Sequence, residues 1–303
     1  MDILPLFNVE WSPSVERHFE VLRIRAFHQR DLPDDHDPWQ AHRLHFHALI
    51  LFTQGQGTHG IDFVDYPVKT GTLIHICANQ IHYFGQTQEL EGFMVLFLPT
   101  VLPTNLLGLS TRTFESDTSL LSWSTIQHVW PSVTTLELDQ AYRLQQHIEL
   151  LETHQIVMQQ TKGDRQKLAA QYVLWSVIAF ALQVAVDSNK RLSDKTIEPR
   201  FLEFVELLER SFESCRKVKW YAAQMNCSEK TLYRICMAAV GKSPKMITNE
   251  RVVVEAQRRL LFGKTTVKEV GSSLGFEETT NFVKFFRRLV GQNPDEFRTA
   301  TKR

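Results

Sequence analysis

The spacing of hydrophobic residues changes along the chain and predicts two kinds of structure. Between residues 21 and 98, short runs rich in β-branched and aromatic residues alternate with turn residues, which is typical of a compact β-barrel or sandwich. We expect a tight reversal at Gly55 to Gly57, where glycine reaches positive φ without steric cost. The predicted strands are Arg43–Thr53, Thr58–Val64, Gly71–Ile76, Ile81–Phe84 and Gly92–Leu98.

Two helices are predicted after these strands. Asp139–Gln160 carries apolar residues on one face, whereas Asp164–Ser188 is apolar nearly all round. A helix that is apolar on every side must be covered on every side. Either it is a central core helix of the monomer, or one face packs on the barrel and another on a partner chain. We favour the second interpretation, which makes a homodimer interface of Tyr172, Trp175, Ile178 and Leu182.

A polar segment separates these helices from the rest of the chain. Residues 187–199 are charged and end in a proline, which is linker composition. We therefore predict three parts: 1–186, a linker at 187–199, and an all-helical part at 200–303.

The helical part contains an internal repeat with an offset of about 50 residues. Ala222 and Asn226 correspond to Gly271 and Gly275, and the matching continues with Leu232, Ile235, Gly241 and Pro244 against Phe282, Phe285, Gly291 and Pro294. Each copy has a small residue where two helices cross, and then asparagine or glycine to end the first helix in left-handed conformation. Apolar anchors follow at helical spacing, namely Leu232, Ile235 and Cys236 in the first copy and Phe282, Phe285, Phe286 and Leu289 in the second.

Two such copies are typical of paired helix-turn-helix units that bind DNA. Ser228 offers its hydroxyl as the N-cap of the first recognition helix. A connecting helix, Pro244–Phe262, would hold both recognition helices against successive major grooves, about 34 Å apart along the duplex. A small helical bundle without DNA-binding function is the less favoured alternative.

The distribution of charge agrees with this interpretation. The chain has no net charge, but residues 1–199 carry 14 basic and 22 acidic residues, whereas residues 200–303 carry 20 and 12. A basic half is expected to meet a polyanion. The four cysteines lack metal-ligand or redox spacing, no secretory signal is evident at residues 1–10, and the apolar run Val173–Val186 is shorter than a membrane span. A cytoplasmic protein, without membrane contact, follows as an expectation.

Residues 200–300 resemble the DNA-binding domain of the AraC/XylS family. The resemblance is carried by SEKTLYRICMAAVGKSP, RVVVEAQRRLL and VKEVGSSLGFEETTNFVKFFRRLVGQNPDEFR. It implies an α+β protein with an N-terminal cupin-like barrel that binds a small effector and dimerises. It also implies promoter DNA and RNA polymerase as partners, activation as the commoner mode, and neither catalysis nor a cofactor. The chain departs from the family at Cys236, Asn281 and Lys284, positions that affect packing and base choice.

The resemblance also implies which residues meet DNA. Arg234 is the strongest candidate for a bidentate contact with guanine, whereas Lys284 lacks the planar fork and suits a phosphate. Thr231 and Thr279 could be capping residues only. The groove-facing set is Lys230, Thr231, Tyr233, Arg234, Thr279, Thr280, Asn281 and Lys284, and the set assigned to phosphates is Lys242, Arg251, Arg258, Arg259 and Lys264.

Histidines mark the expected ligand site of the barrel. His45 and His47 lie two apart on a strand, hence on one face, and His82 lies on a later strand. A metal-dependent cupin enzyme or a metal-sensing regulator could use these three, but no carboxylate follows His47 closely. We favour an effector-binding role and no metal. The effector set is His45, His47, His59, His82 and Tyr83, with Asp62 and His75 as further candidates.

Overall fold

The computed structural model describes residues 8–9, 18–25, 41–98, 130–160, 163–188, 199–262 and 265–301. These residues fall into two compact units, one up to Asp194 and one from Lys195 onward, here called the N-terminal unit and the C-terminal unit. The N-terminal unit contains a sheet and two helices, and the C-terminal unit is helical, so the expected α+β class is confirmed.

The N-terminal unit is built on one mostly antiparallel sheet. Two long strands, β4 and β7, pair along most of their lengths at the centre of the strand order β1-β3-β7-β4-β6-β8, while β2 pairs with β7 and β5 with β4. The strands are β1 (Asn8–Val9), β2 (Phe19–Arg23), β3 (His42–Leu44), β4 (His47–Ile61), β5 (Val64–Lys69), β6 (Thr72–Ile76), β7 (Ile81–Phe97) and β8 (Val133–Thr135).

The glycines of the long strands bend the sheet instead of reversing the chain. The expected reversal at Gly55 to Gly57 is wrong, because β4 continues through these residues with shifts of register against β7. Gly55 has a φ of 85°, which fits an irregularity within a strand. Gly92 sits in β7 so close to β4 that an added Cβ would lie 2.0 Å from the Leu51 carbonyl oxygen. The runs predicted as separate strands on either side of these glycines are therefore continuous.

The two faces of the sheet support two hydrophobic clusters. Alternate residues of β4 point to opposite sides, so Leu49 and Leu51 belong to one cluster and Ile50 and Phe52 to the other. The first cluster, here called the helix-side core, includes residues of α1 (Leu138–Gln160) and α2 (Asp164–Ser188). The second cluster, here called the inner core, consists largely of residues from the strands.

One face of helix α2 belongs to the core of its own unit, and the other is exposed. Ile178 is fully buried and Leu182 is 8% exposed, both within the helix-side core, so neither is available for the dimer contact that we assigned to them. Tyr172 is 58% exposed and Trp175 is partly exposed. Residues Asp164–Ala185 are long and apolar enough to cross a membrane, but a buried core helix meets the same criterion.

The C-terminal unit consists of short helices that end where the sequence indicates. The connecting helix runs from Pro244 to Phe262 as predicted. The described helices are α3 (Pro199–Ser211), α4 (Val218–Gln224), α5 (Glu229–Val240), α6 (Pro244–Phe262), α7 (Val267–Ser273), α8 (Thr279–Val290) and α9 (Pro294–Thr301).

Candidate nucleic-acid interface and histidine clusters

The first helix-turn-helix, α4 and α5, is fixed by three local features. Ala222 is buried where the helices meet, and Asn226 takes a left-handed φ of 49° in the turn. The Ser228 hydroxyl accepts a hydrogen bond from the Thr231 backbone N–H at 3.1 Å, which caps α5 as predicted. Leu232, Ile235 and Cys236 are buried, so the opposite face of α5 is turned outward.

The second helix-turn-helix, α7 and α8, reaches the same geometry with other residues. Thr266 and Glu269 form a capping box at the start of α7. A Cβ on Gly271 would lie 3.1 Å from three atoms of Phe282, which confirms the close crossing predicted there. Gly275 makes the turn with a φ of 73°. Phe282, Phe285 and Phe286 are buried, but Leu289 is 40% exposed and is not an anchor of this core.

Both recognition helices present polar side chains outward. On α5, Lys230 and Arg234 are exposed and Tyr233 is 49% exposed; on α8, Thr280, Asn281 and Lys284 are exposed. Thr231 is half-buried and its hydroxyl lies 2.9 Å from that of Ser228, which favours a capping role. Thr279, at the start of α8, is also half-buried.

A buried ion-pair cluster on α6 changes the set assigned to phosphates. Arg251 forms two hydrogen bonds with the Glu209 carboxylate, at 2.8 and 3.0 Å, and also pairs with Glu255. Arg258 is 7% exposed and lies 3.6 Å from Glu255. Burial raises the pKa of Glu255, but the surrounding arginines outweigh it and hold that pKa below its usual value. The assignment of Arg251 and Arg258 to DNA contacts is therefore wrong, because both guanidinium groups are used inside the C-terminal unit.

The other cations in that set differ in their surroundings. Arg259 pairs with Glu213 and Glu255 and donates a hydrogen bond to the Ser273 hydroxyl at 2.8 Å. Lys242 pairs with Glu250 at 2.8 Å on the surface. Lys264 lies outside the described residues.

Sequence reasoning missed a cluster of three cations formed by Arg216, Lys245 and Arg288. Burial lowers the pKa of Lys245, and the positive charges of Arg216 and Arg288 lower it further. Lys245 also donates to the Arg216 carbonyl oxygen at 3.4 Å, so the first two are neighbours. Arg288 lies one turn beyond Lys284 on α8, a spacing visible in the sequence. Like charges held together favour an anion.

The histidines of the N-terminal unit form two clusters, neither of which is the predicted one. His45 is exposed, and His47 joins His75 and Cys77 instead of His82. His82 meets His42 and His59: its Nδ1 lies 3.2 Å from His59 Nε2, and its ring centroid lies 4.1 Å from that of His42. A site of His45, His47 and His82 is therefore not formed, because His45 points outward.

Tyr83 lies apart from these histidines. It is half-buried and its hydroxyl donates a hydrogen bond to Asp65. Burial and the Asp65 carboxylate raise the pKa of Tyr83 to about 12. The Asp62 carboxylate accepts hydrogen bonds from Gln80 and from the Ile81 backbone N–H, so it stabilises a turn. Neither residue belongs to the His42–His59–His82 cluster.

His59 is the most buried member of that cluster. It is fully buried, and burial lowers its pKa to about 3, with a smaller contribution from His42. Its Nδ1 atom has no hydrogen-bond partner among the residues that the structure describes. Unpaired buried polar atoms are rare in folded proteins, and a ligand or water that bonded to this atom would satisfy it.

Two parts of the chain match families of known proteins. The family model of the AraC-like ligand binding domain matches residues 25–152, and that of a helix-turn-helix domain matches residues 221–300. The transcriptional activator RhaS of Shigella sonnei is 22% identical over 299 residues, covering 97% of this chain and 96% of the relative. The transcriptional activator RhaR of Enterobacter sp. is 24% identical over 267 residues, covering 86% and 88%.

Solved structures also match at low similarity. ToxT from Vibrio cholerae is 10% identical with a TM-score of 0.42, covering 93% of this chain and 97% of ToxT. The DNA-binding domain of AdpA, solved in complex with a target DNA, is 28% identical with a TM-score of 0.31, covering 32% of this chain and 88% of that domain.

Proposed function

This chain belongs to the AraC family of transcription regulators, and on that basis we propose how it reads DNA and what it senses. It is a ligand-responsive DNA-binding regulator. In our proposal it activates transcription in the cytoplasm, contacts RNA polymerase and has no catalytic activity. Residues 1–186 bind the effector and dimerise, and residues 200–303 bind DNA. Residues 187–199 form the linker between these two parts.

The observation that carries the proposal is the pair of recognition helices, α5 and α8, whose outer faces are polar. Arg234 on α5 takes guanine in the major groove, because its exposed guanidinium can bond O6 and N7 together. Asn281 on α8 suits adenine for the same geometric reason. The other members of the base-reading surface are Lys230, Tyr233 and Thr280, with Thr231 and Thr279 at the helix starts.

Phosphates are bound by a different set from the one that sequence suggested. Lys284 stays in it, and Lys245 and Arg288 replace Arg251 and Arg258. Arg216 adds positive charge beside them, but its guanidinium donates to the Gly275 carbonyl oxygen at 2.9 Å and lies over the Phe276 ring. Burial lowers the pKa of Lys245, and repulsion from Arg216 and Arg288 lowers it further. A phosphate between them would relieve that repulsion, add affinity and increase the salt dependence of binding.

The effector in our proposal binds at His42, His59 and His82, on the inner-core side of the sheet. The lowered pKa of His59 keeps that imidazole neutral near pH 7, so it can donate one hydrogen bond and accept another. Such a site favours an uncharged ligand with hydroxyl or carbonyl groups over an anion. His59 and His82 remain from the original set.

Dimerisation in our proposal uses the outward-facing side of α1 and α2. Tyr142, Leu168 and Tyr172 are at least half exposed, and Trp175 is partly exposed with its ring against Tyr172. These residues replace Ile178 and Leu182 as the contact. Large apolar side chains exposed on a helix surface are typical of a subunit interface. Tyr172→Glu should shift the sedimentation of the full chain from dimer to monomer, while Gln183→Glu, also exposed on α2, should not.

The function is tested by selecting genomic DNA fragments that the full-length chain retains. We expect a small set of promoter fragments whose affinity falls steeply as salt rises. An Arg234→Ala, Asn281→Ala, Lys284→Ala variant is the matched control, because these side chains are exposed and their loss should leave the fold intact. Equal retention of the same fragments by the control variant would contradict the proposal.

A further inference from the structure

We propose that His47, His75 and Cys77 form a binding site for a d10 cation, Zn²⁺ or Cu⁺, on the helix side of the sheet. One ligand atom from each residue lies within 4.8 Å of the other two. The three residues are 4%, 2% and 4% exposed. The site is distinct from the His42–His59–His82 cluster and does not depend on the proposed effector.

Strand pairing brings the three residues together. β4 and β6 are antiparallel, with Leu49 opposite His75 and Ala48 opposite Ile76. The same register continued by one step sets His47 opposite Cys77, which directly follows β6. His47 and His75 alternate with the inner-core residues Ala48 and Ile76, so they share the face of the helix-side core. This pairing is non-local, which explains why sequence spacing alone did not suggest the site.

The distance between two of the ligand atoms already fits metal coordination. His75 Nε2 and Cys77 Sγ are 3.6 Å apart. Typical zinc bonds to nitrogen and sulfur, set at a tetrahedral angle, place the two ligand atoms about 3.6 Å from each other. His75 is stacked on Trp130 with ring centroids 4.3 Å apart, which restricts rotation of the ring.

The donor set selects the class of cation. Two imidazoles and one thiolate are borderline and soft ligands, which bind Zn²⁺ and Cu⁺ and are poor ligands for Mg²⁺ and Ca²⁺.

Binding would exchange hydrogen bonds for metal bonds. The Ala78 backbone N–H donates to His47 Nδ1 at 3.1 Å, so the neutral ring carries its proton on Nε2 and offers Nδ1 to the metal. The cation takes this lone pair, His75 Nε2 and the Cys77 thiolate. The thiol proton leaves to solvent, and no oxidant or reductant is needed.

The test is a titration of the reduced, chelator-treated full chain with Zn²⁺ and, anaerobically, with Cu⁺, each against a chromophoric competitor. We expect one equivalent of one of these cations to bind, and Mg²⁺ not to bind. Co²⁺ should give a sulfur-to-metal charge-transfer band. Cys77→Ser should weaken binding by more than the roughly 10- to 100-fold typical of an outer-shell substitution. Cys236→Ser, which alters a buried thiol in the C-terminal unit, should leave it unchanged.

A second measurement on the unsubstituted chain keeps the test decisive if Cys77→Ser does not fold. Alkylation in mild denaturant, followed by mass spectrometry, should show Cys77 protected by the bound cation while Cys215, Cys227 and Cys236 react as before. Absence of a bound equivalent, or equal alkylation of Cys77 with and without cation, would overturn the proposal. Neither outcome affects the DNA-binding assignment, which uses other residues.

Discussion

The N-terminal and C-terminal units place their ionisable groups in opposite ways. All 12 histidines of the chain occur before residue 155, and those of the two described clusters are buried in the N-terminal unit. The C-terminal unit has no histidine, and it carries cations on the outer faces of α5 and α8. Neutral buried imidazoles suit a small enclosed ligand, whereas exposed cations suit an extended anion. In our proposal, one chain therefore keeps ligand sensing and DNA binding chemically separate.

The largest expected effect is at the turn of the second helix-turn-helix. Gly275 has a left-handed φ of 73°, and an added Cβ would lie 2.6 Å from the Glu213 carbonyl oxygen. Gly275→Ala should lower the free energy of unfolding of the C-terminal unit by roughly 3 kcal/mol, through strain and a backbone clash. Urea denaturation followed by circular dichroism measures it.

Gly241 provides the matched control for that substitution. It has a similar φ of 69° but nothing within 4 Å of its added Cβ. Gly241→Ala should therefore cost only about 1 kcal/mol, the strain alone. Equal costs for the two variants would mean that the close approach at Gly275 does not matter.

Acid should destabilise the N-terminal unit through His59. Its pKa is about 3 in the folded state and about 6.5 when unfolded, so the unfolded chain binds the extra proton as pH falls below 6.5. Lowering the pH from 7 to 5 should cost about 2 kcal/mol from this residue. This loss can be measured by tryptophan fluorescence during urea denaturation of a Trp220→Phe variant, with chelator present. The remaining tryptophans of that variant all precede residue 195, so the signal reports on the N-terminal unit.

Substitutions separate this effect from general acid sensitivity. His59→Leu should reduce the pH dependence, because the residue can no longer bind a proton in the unfolded chain. His45→Gln alters an exposed histidine and should leave the slope unchanged. An unaltered slope in His59→Leu would show that His59 is not buried in the neutral form.

Shortening one side chain on each recognition helix to alanine should affect DNA binding in different ways. Arg234→Ala should cost about 1.4 kcal/mol of affinity and relax base preference at one position, because a bidentate contact is lost. Lys284→Ala should weaken binding to all sequences alike and reduce the salt slope by about one. Fluorescence anisotropy at several salt concentrations distinguishes the two. A uniform loss in Arg234→Ala would remove it from the base-reading set.

The smallest expected effects concern the helix caps. Ser228→Ala removes one acceptor from the start of α5, and Thr266→Ala removes half of the capping box of α7. Each should cost about 1 kcal/mol of unfolding free energy, measured by urea denaturation. Ser272→Ala, an exposed substitution within α7, should change stability little. Costs near zero at both caps would show that packing alone fixes these helices.

The C-terminal unit could be predicted well because its determinants are local. Asn226 and Ser228 each act on the helix or turn that contains them, so the order of residues carries the information. Arg251 and Arg258 were misassigned because their partners lie elsewhere: Glu209 is on α3, and the burial of Glu255 depends on how helices pack. A sequence shows a cation but not the carboxylate that folding brings beside it.

The N-terminal unit was harder to predict because its sheet depends on non-local pairing. The sequence pattern of strands was clear. The glycines at 55 and 92, however, were compatible either with turns or with irregularities inside a strand, and only the pairing between β4 and β7 decides between these two possibilities. The same applies to His47, whose neighbours on β6 and the following loop cannot be inferred from spacing along β4. Period-two alternation places a side chain on a face, but register determines what it meets.

In our proposal, α5 and α8 read the same DNA in successive major grooves. Missing-base interference on a selected promoter fragment tests it most directly, with the full chain and with Arg234→Ala and Asn281→Ala variants. We expect two patches of essential bases about 10 base pairs apart, with each variant losing its dependence on a different patch. A single patch, or the same patch altered by both variants, would contradict it.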